Sequence, residues 1–203
     1  MATSYAPTTE LEAVNVMLTN IGEAPVNSLS SGVGLDASTA QTVLKESSRD
    51  VQSRGWFWNT ELLELTPDSN KELILPGNTL RARPINQYSR YAYIYRDGKM
   101  YNREPFKNTT EFDEGVEVES VQELAFTTLP ETARRYITLI AARLFQERKL
   151  GVNAISQQNR HDEARAFAVL RQEENASARR NVGLASQSMR RILERKRMDY
   201  WRD

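Results

Sequence analysis

The stretch VLKESSRDVQSRGWFWNTELLEL, from Val43 to Leu65, changes its periodicity partway along. Up to Arg54 the apolar and small residues recur at helical spacing: Ala40 just upstream, Leu44, Ser47 or Ser48, and Val51, closing onto Trp56. After Gly55 the pattern turns to short apolar runs rich in Leu, Val and Tyr between turn residues, which suits half-buried strands. A helix is therefore expected to stop at Gly55 and a β-rich region to begin at about Thr60.

Reading outward toward the N-terminus, Thr9 to Ile21 is expected to form an amphipathic helix through Leu11, Val14, Leu18 and Ile21, with Gly22 closing it. Pro25 then disfavours helical geometry in the residue before it. The loop SLSSGVGL leads to Asp36, the expected N-cap of the helix that ends near Arg54. In the other direction, the segments ELLEL, ELIL, TLRARPI, YAYIY, KMYN and VEVESV are strand candidates. Asp97-Gly98 signals a two-residue hairpin, because both residues accept the positive φ of a type I′ turn. That turn sets Ile94 opposite Tyr101 and Tyr95 opposite Met100, and puts Tyr91, Tyr93 and Tyr95 on one face.

Leu129-Pro130-Glu131 opens a third helix, with Ala133, Tyr136, Ile137, Ile140, Ala141, Leu144 and Phe145 as its apolar face and Gly151 as its stop. A fourth is expected from about Ala154 to Ala178, on a thin stripe of Ile155, Ala164, Phe167 and Leu170 or Arg171, with a break at Val182-Gly183. The predicted class is α+β. Helices from both ends of the chain form a bundle (residues 1–59 and 129–180), 60–128 form a β-rich insert, and 181–203 form a basic tail.

The bulk numbers narrow the function classes. The 203 residues carry 27 basic and 27 acidic side chains, but from Arg179 onward eight basic residues face three acidic ones. A neutral body with a basic end points to a partner for that end, not to general nucleic-acid binding. No apolar run approaches the roughly 18 residues that span a bilayer, and no secretory leader is visible at the start. There are no cysteines, so disulfides, thiolate metal sites and cysteine catalysis are absent, consistent with a reducing cytoplasm.

Catalytic constellations are equally sparse. The one histidine, His161, lies in QNRHDEAR, where Asp162 and Glu163 point in different directions around a helix; a solvated face is the simpler reading. Asp113, Glu114, Glu117 and Glu119 make an acidic patch, with the last two on one strand face. Such carboxylates can hydrolyse glycosides or hold a divalent cation, but V-E-V-E also fits any half-exposed strand. The tyrosines could stack on sugars or bases, or simply pack. Phosphate-cradling glycine patterns are missing. No cofactor is implied, and the chain is expected not to be an enzyme.

Two stretches carry a resemblance. ELEAVNVMLTNIGEAPVNSL, from Glu10 to Leu29, and VLKESSRDVQSRGWFWNT, from Val43 to Thr60, resemble the tail tubular protein A family, the adaptors of short-tailed podoviruses of the Autographiviridae kind. The most telling residues are Ile21, Gly22 and Pro25, then Arg54, Gly55 and Trp56, which have packing reasons to be there. The resemblance implies a structural protein of the virion, at the head–tail junction, assembled in the host cytoplasm. It implies a dodecameric ring between the portal and tail tubular protein B, near the tail fibres, with DNA passing through the lumen without specific binding and no membrane contact. Within that picture Tyr91, Tyr93 and Tyr95 are expected to meet the tube or a fibre. Met189, Arg190, Arg191, Ile192, Leu193, Arg195, Arg197, Tyr200 and Trp201 of the tail are expected to anchor the portal, through apolar side chains and Arg forks suited to an acidic groove. The alternatives are a head-completion connector of a long-tailed phage and a carbohydrate-active tail enzyme.

Overall fold

The computed structural model describes residues 7–30, 34–85, 92–105, 107–151 and 154–185, with the side chains of 154–157 and 178–185 left aside. Among the described residues four helices, α1 (Glu10–Asn20), α2 (Leu35–Ser53), α3 (Glu131–Leu150) and α4 (Ala154–Ala185), enclose one core. Five strands among them, β1 (Thr60–Leu65), β2 (Thr79–Pro84), β3 (Tyr93–Arg96), β4 (Lys99–Asn102) and β5 (Val116–Gln122), lie between α2 and α3 and build a second. The class is α+β, as the sequence predicts.

Thr9 caps α1 with a reciprocal capping box: its side chain accepts from the Glu12 N–H, while the Glu12 carboxylate accepts from the Thr9 N–H at 2.7 Å. The helix ends in a Schellman turn, with the Glu23 N–H on the Leu18 carbonyl and the Gly22 N–H on the Thr19 carbonyl, both at 3.0 Å. Gly22 takes φ 82°, the left-handed conformation this turn requires. Beyond it the Asn15 amide donates to the Val26 carbonyl at 3.0 Å and accepts from the Val26 N–H at 2.8 Å. The IGEAPV turn is thus folded back and fixed onto the helix it follows.

Helix α2 starts two residues earlier than the sequence suggests. Gly34 is the N-cap and Asp36 sits in the first turn, where its charge favours the helix dipole without capping it. The predicted stripe is buried, including both Ser47 and Ser48. Pro130, expected inside the first turn of α3, occupies the N-cap itself. The α3 face is buried at Ala133, Tyr136, Ile137, Ala141 and Phe145, while Ile140 and Leu144 are half-buried.

Two expectations for α4 need correction. Its buried positions are Ala166 and Leu170, with Phe167 half-buried, whereas Ala164 and Arg171 are exposed; Ile155 is among the side chains left aside. The expected break at Val182-Gly183 is absent, since the helix runs on to Ala185. One glycine inside a helix costs about 1 kcal/mol, too little to end a continuous run of hydrogen bonds. The first residues of the expected tail therefore belong to α4.

In the insert, β5 is central: β1 and β2 flank it antiparallel, in the order β1-β5-β2. The β3–β4 hairpin has the predicted register, Ile94 opposite Tyr101 and Tyr95 opposite Met100. Asp97 and Gly98 take φ 50° and 76°, as a type I′ turn needs. ELIL is not a strand. It makes isolated bridges, Glu72 with Glu111 and Ile74 with Lys99, while Leu73 and Leu75 fill the second core. That core joins them to Leu65, Ala82, Met100, Phe112, Val116 and Val118.

Candidate assembly surfaces

The body and the insert meet at a buried polar joint. Gln52, fully buried near the end of α2, accepts from the Leu124 N–H at 2.8 Å and donates to the Leu124 carbonyl and the Ser48 hydroxyl at 3.0 Å each. Asn59 donates to the carbonyls of Gln52 and Gln122, at 3.0 and 2.9 Å, and accepts from the Trp56 N–H. Trp56 itself donates its indole N–H to the Val51 carbonyl at 2.7 Å and stacks on Trp58. Gly55, at φ 77°, makes the corner: a Cβ there would lie 2.6 Å from Arg81 Nη2 and 2.9 Å from Val121 Cγ2. Arg54 presents its carbonyl to Arg81 and its guanidinium to the Phe167 ring. The residues Ile21, Gly22, Pro25, Arg54, Gly55 and Trp56 thus lie at the two turns that set the directions of α1 and α2.

A second buried anchor escaped the sequence reading. Arg134 donates to the carbonyls of Leu129, Thr8 and Thr127, tying the N-terminal segment to the start of α3. No local pattern announces it, because an Arg at a helix start normally reads as solvated. Between α3 and α4 runs a charged seam: Arg143 pairs with Glu163 at 2.7 Å and Glu147 at 3.0 Å, Arg160 pairs with Glu147, and Asn159 bonds Gln146. Burial alone disfavours the Arg143 charge, yet the two carboxylates more than offset it and raise its pKa.

The residues singled out for chemistry are dispersed. His161 and Asp162 are exposed on α4, whereas Glu163 belongs to the seam. Glu117 and Glu119 share a strand face, between the buried Val116, Val118 and Ser120. Glu119 pairs with Arg83 at 2.7 Å, while Glu117 lines an open, mostly polar cleft of about 730 Å³ with Tyr93, Asp113 and Glu114. Asp113 is held by Lys71 at 2.8 Å, a contact that lowers the carboxyl pKa and raises that of the lysine. Among the described residues no group of three or more His, Asp or Glu could hold a metal ion, and no helix is long and apolar enough to cross a membrane.

Tyr93 and Tyr95 turn toward the second core. Tyr93 meets Phe112 edge-on at 5.0 Å, and the Tyr95 hydroxyl donates to the Thr79 carbonyl at 3.1 Å. Tyr91 lies outside the described residues, as does the whole proposed portal anchor: Met189, Arg190, Arg191, Ile192, Leu193, Arg195, Arg197, Tyr200 and Trp201. The more exposed side of the hairpin carries Ile94 and Arg96, the latter over the Tyr101 ring.

A helical body and a β insert, each with its own core, are held together by the buried Gln52–Asn59 joint. The family model for tail tubular proteins matches residues 11–180, and the chain belongs to that family. It is a phage tail structural protein, and it is similar to tail tubular protein A of Klebsiella phage KP34, at 29% identity over 128 residues. That match covers 63% of this chain and 66% of the relative.

Proposed function

We propose that this chain is a ring-forming adaptor that joins the portal to the tail tube and forms part of the channel through which DNA leaves the particle. Membership of the tail tubular protein family over residues 11–180 is the observation that carries this reading. The architecture supports it. An adaptor between two rings must hold one body fixed while presenting different surfaces at its ends, and the Gln52–Asn59 joint couples two separately cored units in that way. A closed ring uses heterologous contacts, in which two different patches of each subunit meet.

In this arrangement the ring is a dodecamer, and the segment 186–203 anchors it to the portal. The insert, through its hairpin, contacts tail tubular protein B or a fibre. DNA passes without specific or tight binding, since a chain that as a whole carries no net charge lacks the basic surface that would hold phosphates. Electron microscopy of purified oligomers tests the ring directly: twelve-fold symmetry is expected, and a chain that never forms rings, with or without portal, overturns the reading. Truncation after Ala185 tests the anchor. Shortened rings should form yet fail to bind portal-bearing heads; undiminished binding would remove the tail from this role.

A further inference from the structure

We propose that neighbouring subunits are joined by the β1 edge of one copy entering the cleft between body and insert of the next, with Leu62 as the knob. This rests on the ring reading above and specifies its contact. Strand β1 is an edge of the three-stranded sheet, so one side of it has no strand partner there. Leu62 is 74% exposed on it, an unusual position for a leucine on an open strand edge, which invites pairing with another chain.

The charges around Leu62 are unbalanced. Glu64 and Glu117 lie directly opposite each other in the β1–β5 register, and like charges in that relation repel. Neither has an ion pair among the described residues, whereas Glu119, opposite Leu62, is held by Arg83. The outer face of this edge is thus an apolar side chain beside two spare carboxylates.

The complement lies at the end of the same sheet that meets the helices. A cleft of about 540 Å³, mostly apolar, opens between α2 and the segments just ahead of β2 and just after β5. Leu44, Leu124, Ala125 and Phe126 line it, with Gly77 and Asn78 just ahead of β2. Its acids are already engaged, Glu10 by Gln41 and Glu123 by Arg49. Lys45, exposed at the rim, has no such partner among the described residues. An apolar hole with a spare cation therefore stands where β2 begins and β5 ends against α2, and an apolar knob with spare carboxylates on the face of β1, at the other edge strand. Two unlike, complementary patches at different places on the subunit are what a head-to-tail closed ring requires. In the assembled contact Leu62 fills the cleft, and Lys45 lies against Glu64 and Glu117 of the adjoining copy.

Mass photometry and sedimentation velocity of the full chain test this. Leu62→Asn, Lys45→Glu and the pair Glu64→Lys with Glu117→Lys should each lower the ring population at least tenfold while leaving the circular dichroism of the subunit unchanged. Combining Lys45→Glu with the two lysines should restore much of it. Leu35→Asn, at an equally exposed leucine at the start of α2, should change little. The native chain has no cysteine, so Leu62→Cys with Ala125→Cys should give a ladder of covalent multimers on oxidation. If the wild-type chain forms rings, and the three disruptive variants form them equally well and the cysteine pair gives no ladder, the contact is overturned while the ring reading stands. A wild-type chain that stays monomeric even with portal overturns the ring reading, and the contact falls with it.

Discussion

The side-chain amide of Gln52 pairs with the backbone of Leu124 in both directions, accepting from its N–H at 2.8 Å and donating to its carbonyl at 3.0 Å. Seventy-two residues and the whole β insert separate them in sequence. The amide imitates a strand partner for a chain segment that has just left β5, so the end of α2 is joined to the end of the sheet through both amide donors and the amide oxygen. Since the joint is buried, its geometry is costly to change.

Gln52→Leu should therefore destabilise the protein by about 1–3 kcal/mol, because it takes the side-chain partner from the half-buried Leu124 N–H and carbonyl and from the buried Ser48 hydroxyl. Urea denaturation followed by circular dichroism measures this. A loss below the measurement error would mean that water enters the joint freely.

Gly55→Ala and Gly22→Ala should differ. Both glycines have positive φ, a conformation that costs a residue with Cβ roughly 1 kcal/mol. Around Gly22 the space is open, but at Gly55 the new methyl meets Arg81 and Val121. Gly22→Ala should cost about that backbone amount and Gly55→Ala distinctly more. Adding Arg81→Ala to Gly55→Ala should recover part of the difference, and equal losses at the two sites would refute the crowding argument.

Arg134→Lys should cost about 1–3 kcal/mol, although it keeps the charge. The guanidinium reaches three carbonyls from a planar fork, and an ammonium on a shorter reach cannot serve Leu129, Thr8 and Thr127 together. Hydrogen exchange should rise at the start of α1, where residue Thr8 loses its tether. Unchanged exchange there would assign the tether elsewhere, for instance to the Thr8–Glu131 bonds.

Acid should loosen the Lys71–Asp113 contact in a defined direction. The hydrogen bond from Lys71 holds the Asp113 carboxyl below its ordinary value. Whatever this exposed pair contributes is present above the ordinary carboxylate pKa and is lost as pH falls through the lowered folded value. Carboxyl-carbon NMR titration should give a lower midpoint for Asp113 in the wild type than in Lys71→Gln, and identical midpoints would contradict the contact.

Much of the fold is legible along the chain because it is local. The helix-to-strand switch at Gly55, the Gly22 closure, the Asp97-Gly98 hairpin and its register follow from spacing and backbone preference, which adjacent residues impose on one another. The reading failed in two ways: α4 runs through Gly183, because one glycine costs less than a continuous run of helical hydrogen bonds supplies, and ELIL gives its leucines to the second core without pairing as a strand. The resemblance carried by Ile21 to Val26 and Arg54 to Trp56 was also local, since both motifs are turns whose shape needs those residue types.

The sequence by itself determined the class of the protein: an α+β chain with helices at both ends of a β-rich insert and a turn grammar matching one family. Only the tertiary structure decided how those parts become one object. Gln52, Asn59 and Arg134 are polar residues whose partners lie on distant segments or on backbone groups, and no periodicity marks them. Likewise Leu62 and Leu63 are neighbours with the same side chain, yet one is exposed and the other packs on the second core. Alternation along a strand says that adjacent residues face opposite ways; which of the two faces meets a core is set by what folds against it.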